Sequence, residues 1–71
     1  MATELVAEMV ANVWKLVAEP GQRLEAGDTV LILESMKMEI PVLVEAAGTL
    51  TEMRVREGDV VQEGDILAVV D

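Results

Sequence analysis

The chain has 71 residues and a formal net charge of −9, from 5 basic and 14 acidic side chains. This length suits one small domain with a modest hydrophobic core. The acidic balance disfavours nucleic acid and anionic membrane surfaces as partners, because both attract basic patches.

Cysteine and histidine are both absent from the sequence. This excludes disulfides and zinc-thiolate sites, and it removes the commonest general base and the commonest metal ligand. We therefore expect no metal site and no catalytic residue, so the chain is predicted not to be an enzyme by itself. No apolar run approaches the roughly 18–20 residues of a membrane span, and residues 1–4 carry no basic signal-peptide region, which predicts a cytoplasmic protein.

The first segment, residues 3–21, resembles an amphipathic helix when it is considered alone. Its apolar residues recur at spacings of three and four, Thr3 suits a helix N-terminus, and Pro20-Gly21 suits a helix end. An internal repeat argues against this helix.

The repeat becomes visible when the chain is compared with itself at a shift of 37 positions, which matches residues 7–34 with residues 44–71. The second copy contains Gly48 followed by alternating apolar and polar residues, which is a poor helix pattern. Equivalent copies should share one structure, so strands are predicted in the first copy as well. The identical matches are Glu8 with Glu45, Gly21 with Gly58, Gly27 with Gly64, and Asp28 with Asp65.

Four short strands are predicted in each copy, which makes the fold all-β. Two such units would pack face to face as a small sandwich or flattened barrel, forming one domain over residues 1–71. Trp14, the one aromatic residue, is placed in an aliphatic core, and Ala11 opposite Gly48 predicts an altered turn. The predicted strands cover residues 5–9, 12–18, 23–25 and 29–34, then 39–45, 49–55, 60–62 and 66–70.

The strand-like run at the centre of the chain is far longer than a typical strand of roughly 5–6 residues. We expect it to break in its polar middle, residues 34–39, which puts Lys37 on or near the tip of a hairpin between the two copies. Two-residue hairpins favour Asn-Gly or Asp-Gly, because both central residues need positive φ, yet residues 35–38 are Ser-Met-Lys-Met. A turn whose residues depart from the usual turn chemistry predicts a functional site at that turn.

The methionines and the lysine each have a plain structural interpretation. Lys37 alone could be an edge lysine that blocks aggregation, and Met36 and Met38 could fill gaps in the core. Their combination at the junction of two copies, without turn residues, favours a functional interpretation. The sequence "ESMKMEI" resembles the biotin attachment motif of biotinyl domains, whose usual core is Glu-Ala-Met-Lys-Met.

This resemblance covers the whole chain, with its two halves, its Gly-Asp pairs and its strand pattern. It is closest to the small free-standing biotin/lipoyl attachment proteins and to the biotin carboxyl carrier domain of biotin-dependent carboxylases. It implies a flattened β-barrel of two four-stranded sheets with quasi-twofold symmetry, a barrel-sandwich hybrid. It also implies covalent biotin on Lys37, whose ε-amine would attack biotinyl-adenylate bound to a biotin protein ligase.

The resemblance gives the flanking residues roles in recognition by the ligase. Met36 and Met38 would help the ligase to accept biotin over lipoate, since lipoyl domains usually carry Asp before the lysine. Glu34 and Glu39 are candidates for docking, and Ser35 stands where the family most often has Ala. A single negative patch is also predicted, consisting of Glu34, Glu39, Glu45, Glu52, Glu57 and Asp59.

The implied function is a swinging arm without catalytic groups of its own. The tethered biotin would be carboxylated at a biotin carboxylase and would deliver the carboxyl group to the carboxyltransferase of an acyl-CoA type carboxylase. Two alternatives stay open at this point. One is a lipoyl or dual biotin/lipoyl carrier that uses the same lysine, and the other is an unmodified β-sandwich interaction module.

Overall fold

A computed structural model describes residues 2–71, and its regular structure over these residues is entirely β-strand. Two four-stranded antiparallel sheets are formed, a first sheet in the order β1-β8-β6-β3 and a second sheet in the order β5-β4-β2-β7. No helix in this part of the chain is long and apolar enough to cross a membrane. The predicted all-β architecture is confirmed. The strands are β1 (Thr3–Val6), β2 (Ala11–Leu16), β3 (Arg23–Leu24), β4 (Thr29–Ser35), β5 (Met38–Leu43), β6 (Gly48–Met53), β7 (Val60–Val61) and β8 (Ile66–Val70).

The first strand begins and ends earlier than predicted. β1 pairs with β8 from Thr3 opposite Val70 to Val6 opposite Ile66, so the predicted bounds 5–9 are wrong. Ala7 leaves the sheet because its backbone bonds to the loop before β8: its N–H donates to the Asp65 carbonyl at 2.9 Å. The helical spacing of this segment is therefore overruled by pairing with a distant strand.

Each sheet takes two strands from each copy of the repeat, so the copies interlace. β1 and β3 from the first copy join β6 and β8 from the second, and the second sheet mirrors this arrangement. The predicted sandwich of two four-stranded sheets is confirmed, and its two sheets are each shared between the copies. Interlacing lets both copies contribute apolar side chains to one shared core, which suits units too short to bury a core separately.

A quasi-twofold relation links residues 37 positions apart, here called equivalent residues, and it extends to the hydrogen bonds of the loops. The Gly21 N–H donates to the Leu50 carbonyl at 2.6 Å, and the equivalent Gly58 N–H donates to the Val13 carbonyl at 2.8 Å. Both glycines have φ of 94°, a left-handed conformation that glycine adopts without steric cost. The repeat seen in the sequence is thus a repeat of backbone geometry.

The hydrophobic core between the two sheets is duplicated in the same way. Each fully or nearly buried apolar residue of the first copy has a buried equivalent in the second. Two folded copies therefore supply matching halves of one core. The equivalent buried pairs are Ala7 and Val44, Ala11 and Gly48, Val13 and Leu50, Ala18 and Val55, Leu24 and Val61, Val30 and Leu67, Leu31 and Ala68, and Leu33 and Val70.

Gly48 differs from its equivalent, Ala11, through packing. Each residue begins an equivalent strand, β6 and β2, so the predicted alteration of the turn is wrong. A β-carbon added at Gly48 would lie 2.7 Å from Val70 Cγ1 and 3.1 Å from the Asp71 carbonyl oxygen. Glycine is used here because the end of β8 approaches the backbone closely, whereas the Ala11 methyl fits into the core.

Trp14 lies outside the core. Its side chain is 46% exposed on the outer face of the second sheet, so its predicted place among the core residues is wrong. The core is aliphatic throughout the described residues, and the largest fully buried side chains are leucines.

The hairpin between β4 and β5 lies at the opposite end of the molecule from the two chain ends. β5 runs away from the hairpin tip, and only residues 44–47 separate its end from β6. At the start of β6, Thr49 exchanges backbone hydrogen bonds of 2.8 Å with Asp71. Thr3 is opposite Val70 at the same end, so β1 begins and β8 ends away from the hairpin tip.

Candidate functional site

The hairpin between β4 and β5 closes with a two-residue turn. Ser35 is opposite Met38, which leaves Met36 and Lys37 as the two central residues. Their φ angles are 52° and 65°, the positive values that a type I′ hairpin turn requires. The structure places Lys37 at the tip, as predicted from the sequence.

Both central residues adopt a backbone conformation that side chains with a β-carbon disfavour. The left-handed region costs such residues on the order of 1 kcal/mol each. The hairpin tolerates this cost because six paired positions, from Thr29 opposite Leu43 to Ser35 opposite Met38, align the strands that lead into the turn. The turn therefore presents its lysine in a defined geometry.

The side chains of the turn project into solvent. Met36 is 89% exposed and Met38 is 59% exposed, so neither methionine fills a gap in the core. Lys37 is exposed as well, and among residues 2–71 no carboxylate lies within ion-pair distance of its ammonium group. The arrangement offers an accessible primary amine between two apolar, polarizable side chains.

The base of the turn carries two acidic residues directly opposite each other. Glu34 on β4 is opposite Glu39 on β5, a like-charge pair that weakens rather than stabilises a hairpin. Ser35 has a hydrogen bond beyond the hairpin: its hydroxyl donates to the Val10 carbonyl at 3.4 Å. That bond links the tip to the segment that leads into β2.

An open depression of about 250 Å³ lies beside the lysine and brings together three separate segments of the chain. Val10, Ala11, Asn12 and Val60 are the members that the sequence did not predict. They become neighbours of the tip because Asn12 on β2 is opposite both Glu34 on β4 and Val60 on β7. Only the strand order of the second sheet could have indicated them. The lining consists of Val10, Ala11, Asn12, Glu34, Ser35, Met36, Lys37 and Val60.

Comparison with known proteins identifies the family. The family model described as "Biotin-requiring enzyme", of the biotin/lipoyl type, matches residues 1–70. The chain belongs to the biotin/lipoyl family. It is 54% identical over 71 residues, with complete coverage of both chains, to the "Biotinylated protein TB7.3 homolog" of Mycolicibacterium smegmatis.

Two carboxylase structures contain a domain with the fold of this biotin/lipoyl family member. In the Kluyveromyces lactis urea carboxylase the TM-score is 0.94 with 38% identity, over 100% of this chain and 6% of that one. In a single-chain, multi-domain long-chain acyl-CoA carboxylase the TM-score is 0.90 with 31% identity, over 96% of this chain and 7% of that one. The predicted family, flattened two-sheet fold and biotin cofactor are confirmed, and the chain is a non-catalytic carrier domain.

The residues at the tip fit covalently attached biotin. An amide to biotin needs a primary amine that a second protein can reach, and Lys37 provides one on a four-carbon stem. The larger groove of this biotin/lipoyl domain, about 630 Å³ between β1 and β5, has no lysine among the lining residues that the structure describes. Among the described residues, the charged side chains that line this groove are the carboxylates of Glu4, Glu8, Glu45 and Asp71, which are not candidates for amide formation with biotin.

The predicted single negative patch is wrong, because its six members lie in different surroundings. Glu34 and Glu39 are at the tip, whereas Glu45 follows β5 at the far end of the domain. Glu57 accepts a hydrogen bond from the Leu16 backbone N–H at 3.0 Å, and Asp59 accepts one from the Arg56 N–H at 2.9 Å. These last two carboxylates stabilise loops, so only the first pair remains a candidate for recognition of the biotin/lipoyl tip.

The positive φ angles of the turn predict that the domain becomes more stable when both central residues are replaced by residues that favour such angles. We expect the free energy of unfolding of the double variant Met36→Asn, Lys37→Gly to exceed that of the wild type by about 1–2 kcal/mol, because both substitutions suit positive φ. The variant should therefore unfold at a higher denaturant concentration. Chemical denaturation followed by far-UV circular dichroism measures this. Met38→Asn, the same kind of replacement at an exposed methionine outside the two central positions, is the control. A double variant less stable than the wild type would contradict the assigned strain.

Proposed function

We propose that this chain is a biotin carboxyl carrier whose Lys37 is biotinylated by a biotin protein ligase. The biotin then carries a carboxyl group from a biotin carboxylase to the carboxyltransferase of an acyl-CoA type carboxylase. The observation that carries the proposal is the exposed Lys37 amine on a positive-φ turn between two exposed methionines, in a biotin/lipoyl family domain.

Attachment is an acyl transfer to the lysine amine. The deprotonated Nζ attacks the acyl carbon of biotinyl-adenylate and forms an amide bond. The bond from that carbon to the phosphate oxygen breaks, AMP leaves with the electron pair, and the nitrogen loses its proton to a base or to water. An ammonium group is replaced by a neutral amide, so the net charge of −9 becomes −9 − 1 = −10.

Lys37 is favoured over Lys15 by the shape of the surface around each amine. Lys15 lies within β2, opposite Ile32 and next to Trp14, on the broad face of the second sheet. Lys37 stands on a two-residue turn that a ligase cleft can surround. Catalysis needs the reacting atoms within about 3–3.5 Å in a fixed geometry, and a protruding, rigid turn reaches a cleft where a flat face does not.

The residues around Lys37 are proposed to contribute to recognition by the ligase. Met36 and Met38 supply apolar, adaptable contact surface with no charge to desolvate. Glu34 and Glu39 are retained side by side despite their mutual repulsion, which supports a role in docking. Ser35 is proposed to fix the tip through its bond to Val10.

Delivery of the carboxyl group relies on tethering. A flexible biotinyl-lysine arm keeps its reactive end at an effective concentration on the order of millimolar near its partners. The chain ends lie at the other end of the domain, so a linker there would leave the arm free. The fold is shared with an acyl-CoA carboxylase and with a urea carboxylase, and the acyl-CoA type is the acceptor class that we propose. The cytoplasmic location stays a prediction.

The test is the intact mass of the protein purified from its own host, with a streptavidin blot and peptide mapping around residue 37. We expect one biotin-sized addition, located on Lys37. A lipoyl-sized addition at the same residue would replace the proposal with the lipoyl carrier. An unmodified chain, in a host whose other carriers are biotinylated, would leave the interaction module as the function.

A further inference from the structure

We infer that Val10, Trp14 and Val60 form a docking surface for biotin protein ligase on one side of Lys37. These three residues are called the Val10–Trp14–Val60 surface below. The inference rests on the proposed function, and it adds residues that lie outside the Met-Lys-Met turn and that only the fold brings next to it.

The three apolar side chains are exposed and adjacent. Val10 is 58% exposed, Trp14 46% and Val60 63%. Val60 is directly opposite Asn12, and Trp14 is two positions along β2 from Asn12, so Trp14 and Val60 share the outer face as diagonal neighbours. An indole is long enough to reach across such a diagonal. Val10 and Val60 line the depression beside Lys37.

Folding does not require large apolar residues at these positions, because the equivalent positions in the other half of the molecule carry small or polar residues. The equivalents of Val10, Trp14 and Val60 are Ala47, Thr51 and Arg23. All three equivalents are exposed on the same backbone framework. At these three pairs of equivalent positions, large apolar side chains occupy only the members beside the lysine. An exposed apolar patch of that kind indicates a protein contact.

Biotin protein ligase is the partner protein that must approach the Val10–Trp14–Val60 surface most closely. Before attachment, the lysine has only its own four-carbon stem with which to reach the acyl carbon. The body of the carrier must therefore touch the rim of the ligase cleft. After attachment, the biotin adds its own length to the arm, so the carboxylase sites can be reached from a greater distance. A contact surface beside the lysine thus serves the ligase first.

Charge defines the matching surface of the ligase. Glu34 lines the depression together with Val10 and Val60, and within the strands of the second sheet Lys15 is the one cation. The complementary ligase surface is apolar at its centre, to receive Trp14, with lysines or arginines at its edge. Such an edge would steer this acidic carrier towards the cleft.

The test measures biotinylation kinetics with the purified ligase of the same host, ATP, biotin and the unmodified chain. Val10→Ala and Trp14→Thr each introduce the residue that the other half has at the equivalent position. Val60→Thr replaces the third apolar side chain by a polar one of similar size. We expect Trp14→Thr to raise KM for the carrier by about tenfold or more, because buried tryptophans dominate binding at interfaces, with kcat within about twofold of the wild type. The matched controls, Thr51→Ala and Arg23→Ala in the other half, should leave KM unchanged.

A second readout tests contact directly. Trp14 is the single tryptophan, so 5-fluorotryptophan labelling gives one ¹⁹F signal, which should shift on addition of unlabelled ligase. Thermal unfolding confirms that each variant is folded. The inference fails if KM is unchanged in the Val10, Trp14 and Val60 variants, if kcat falls at constant KM, or if the ¹⁹F signal does not move. Failure of the proposed function is distinct, since the wild-type chain would then take no label on Lys37.

Discussion

Lys37→Arg is expected to abolish biotin incorporation completely. Arginine preserves the positive charge and most of the length of the side chain, but its guanidinium stays protonated and is not a nucleophile. No amide can then form at the tip. The measurement is a streptavidin blot together with the intact mass, after incubation with ligase, ATP and biotin.

The matched control is Lys15→Arg, which makes the same change at the other lysine of the chain. It should be biotinylated to the same extent as the wild type. Because both lysines are exposed, neither variant should differ from the wild type in thermal stability by more than about 0.5 kcal/mol. Loss of label in the Lys15 variant, with label retained in the Lys37 variant, would refute the assignment of the site.

Leu50→Ala is expected to lower the free energy of unfolding far more than a substitution at the surface. Leu50 is 0% exposed at the centre of the core, and such truncations cost about 2–5 kcal/mol through lost burial and the remaining cavity. A domain of this size has a total stability of roughly 4–10 kcal/mol. We therefore expect the midpoint of thermal unfolding to fall by about 10–20 °C, measured by circular dichroism.

Leu43→Ala provides the comparison, since Leu43 is also a strand leucine but is 45% exposed. Its loss should be below about 1 kcal/mol, because solvent already occupies much of its surroundings. Equal losses in the two variants would mean that the core lies elsewhere than between the sheets.

The repeat made the fold predictable from the sequence. Residues 3–17 have the spacing of a helix, and only the comparison with the second copy, where Gly48 interrupts such a pattern, indicated strands. The structure gives the physical reason. Buried positions recur in both copies, as with Val13 and Leu50, so one backbone arrangement has to satisfy both sequences.

The interlacing of the copies could not be predicted, because alternation along a strand shows which face is buried but not which strand is its neighbour. β1 illustrates this: its bounds are set by pairing with β8, more than sixty residues away in the sequence. Trp14 was misplaced for a related reason. Its hydrophobicity suggested the core, whereas the bulge between Val13 and Lys15 and its register on β2 turn it outwards.

The candidate site was predictable in part. Lys37 and its two methionines are contiguous in the sequence, so the broken turn rule and the position between the copies were enough to find them. Val10 and Val60 are fifty positions apart, and their contact with the tip depends on the sheet order β4-β2-β7. Contiguous motifs can be found from sequence, but surfaces assembled across strands cannot.

The quasi-twofold symmetry also bears on how many prosthetic groups one domain can hold. A symmetric scaffold usually duplicates whatever site it builds. Here the lysine lies on the segment that joins the two copies, and two copies have one junction between them. We therefore expect one biotin for each domain, as a consequence of connectivity.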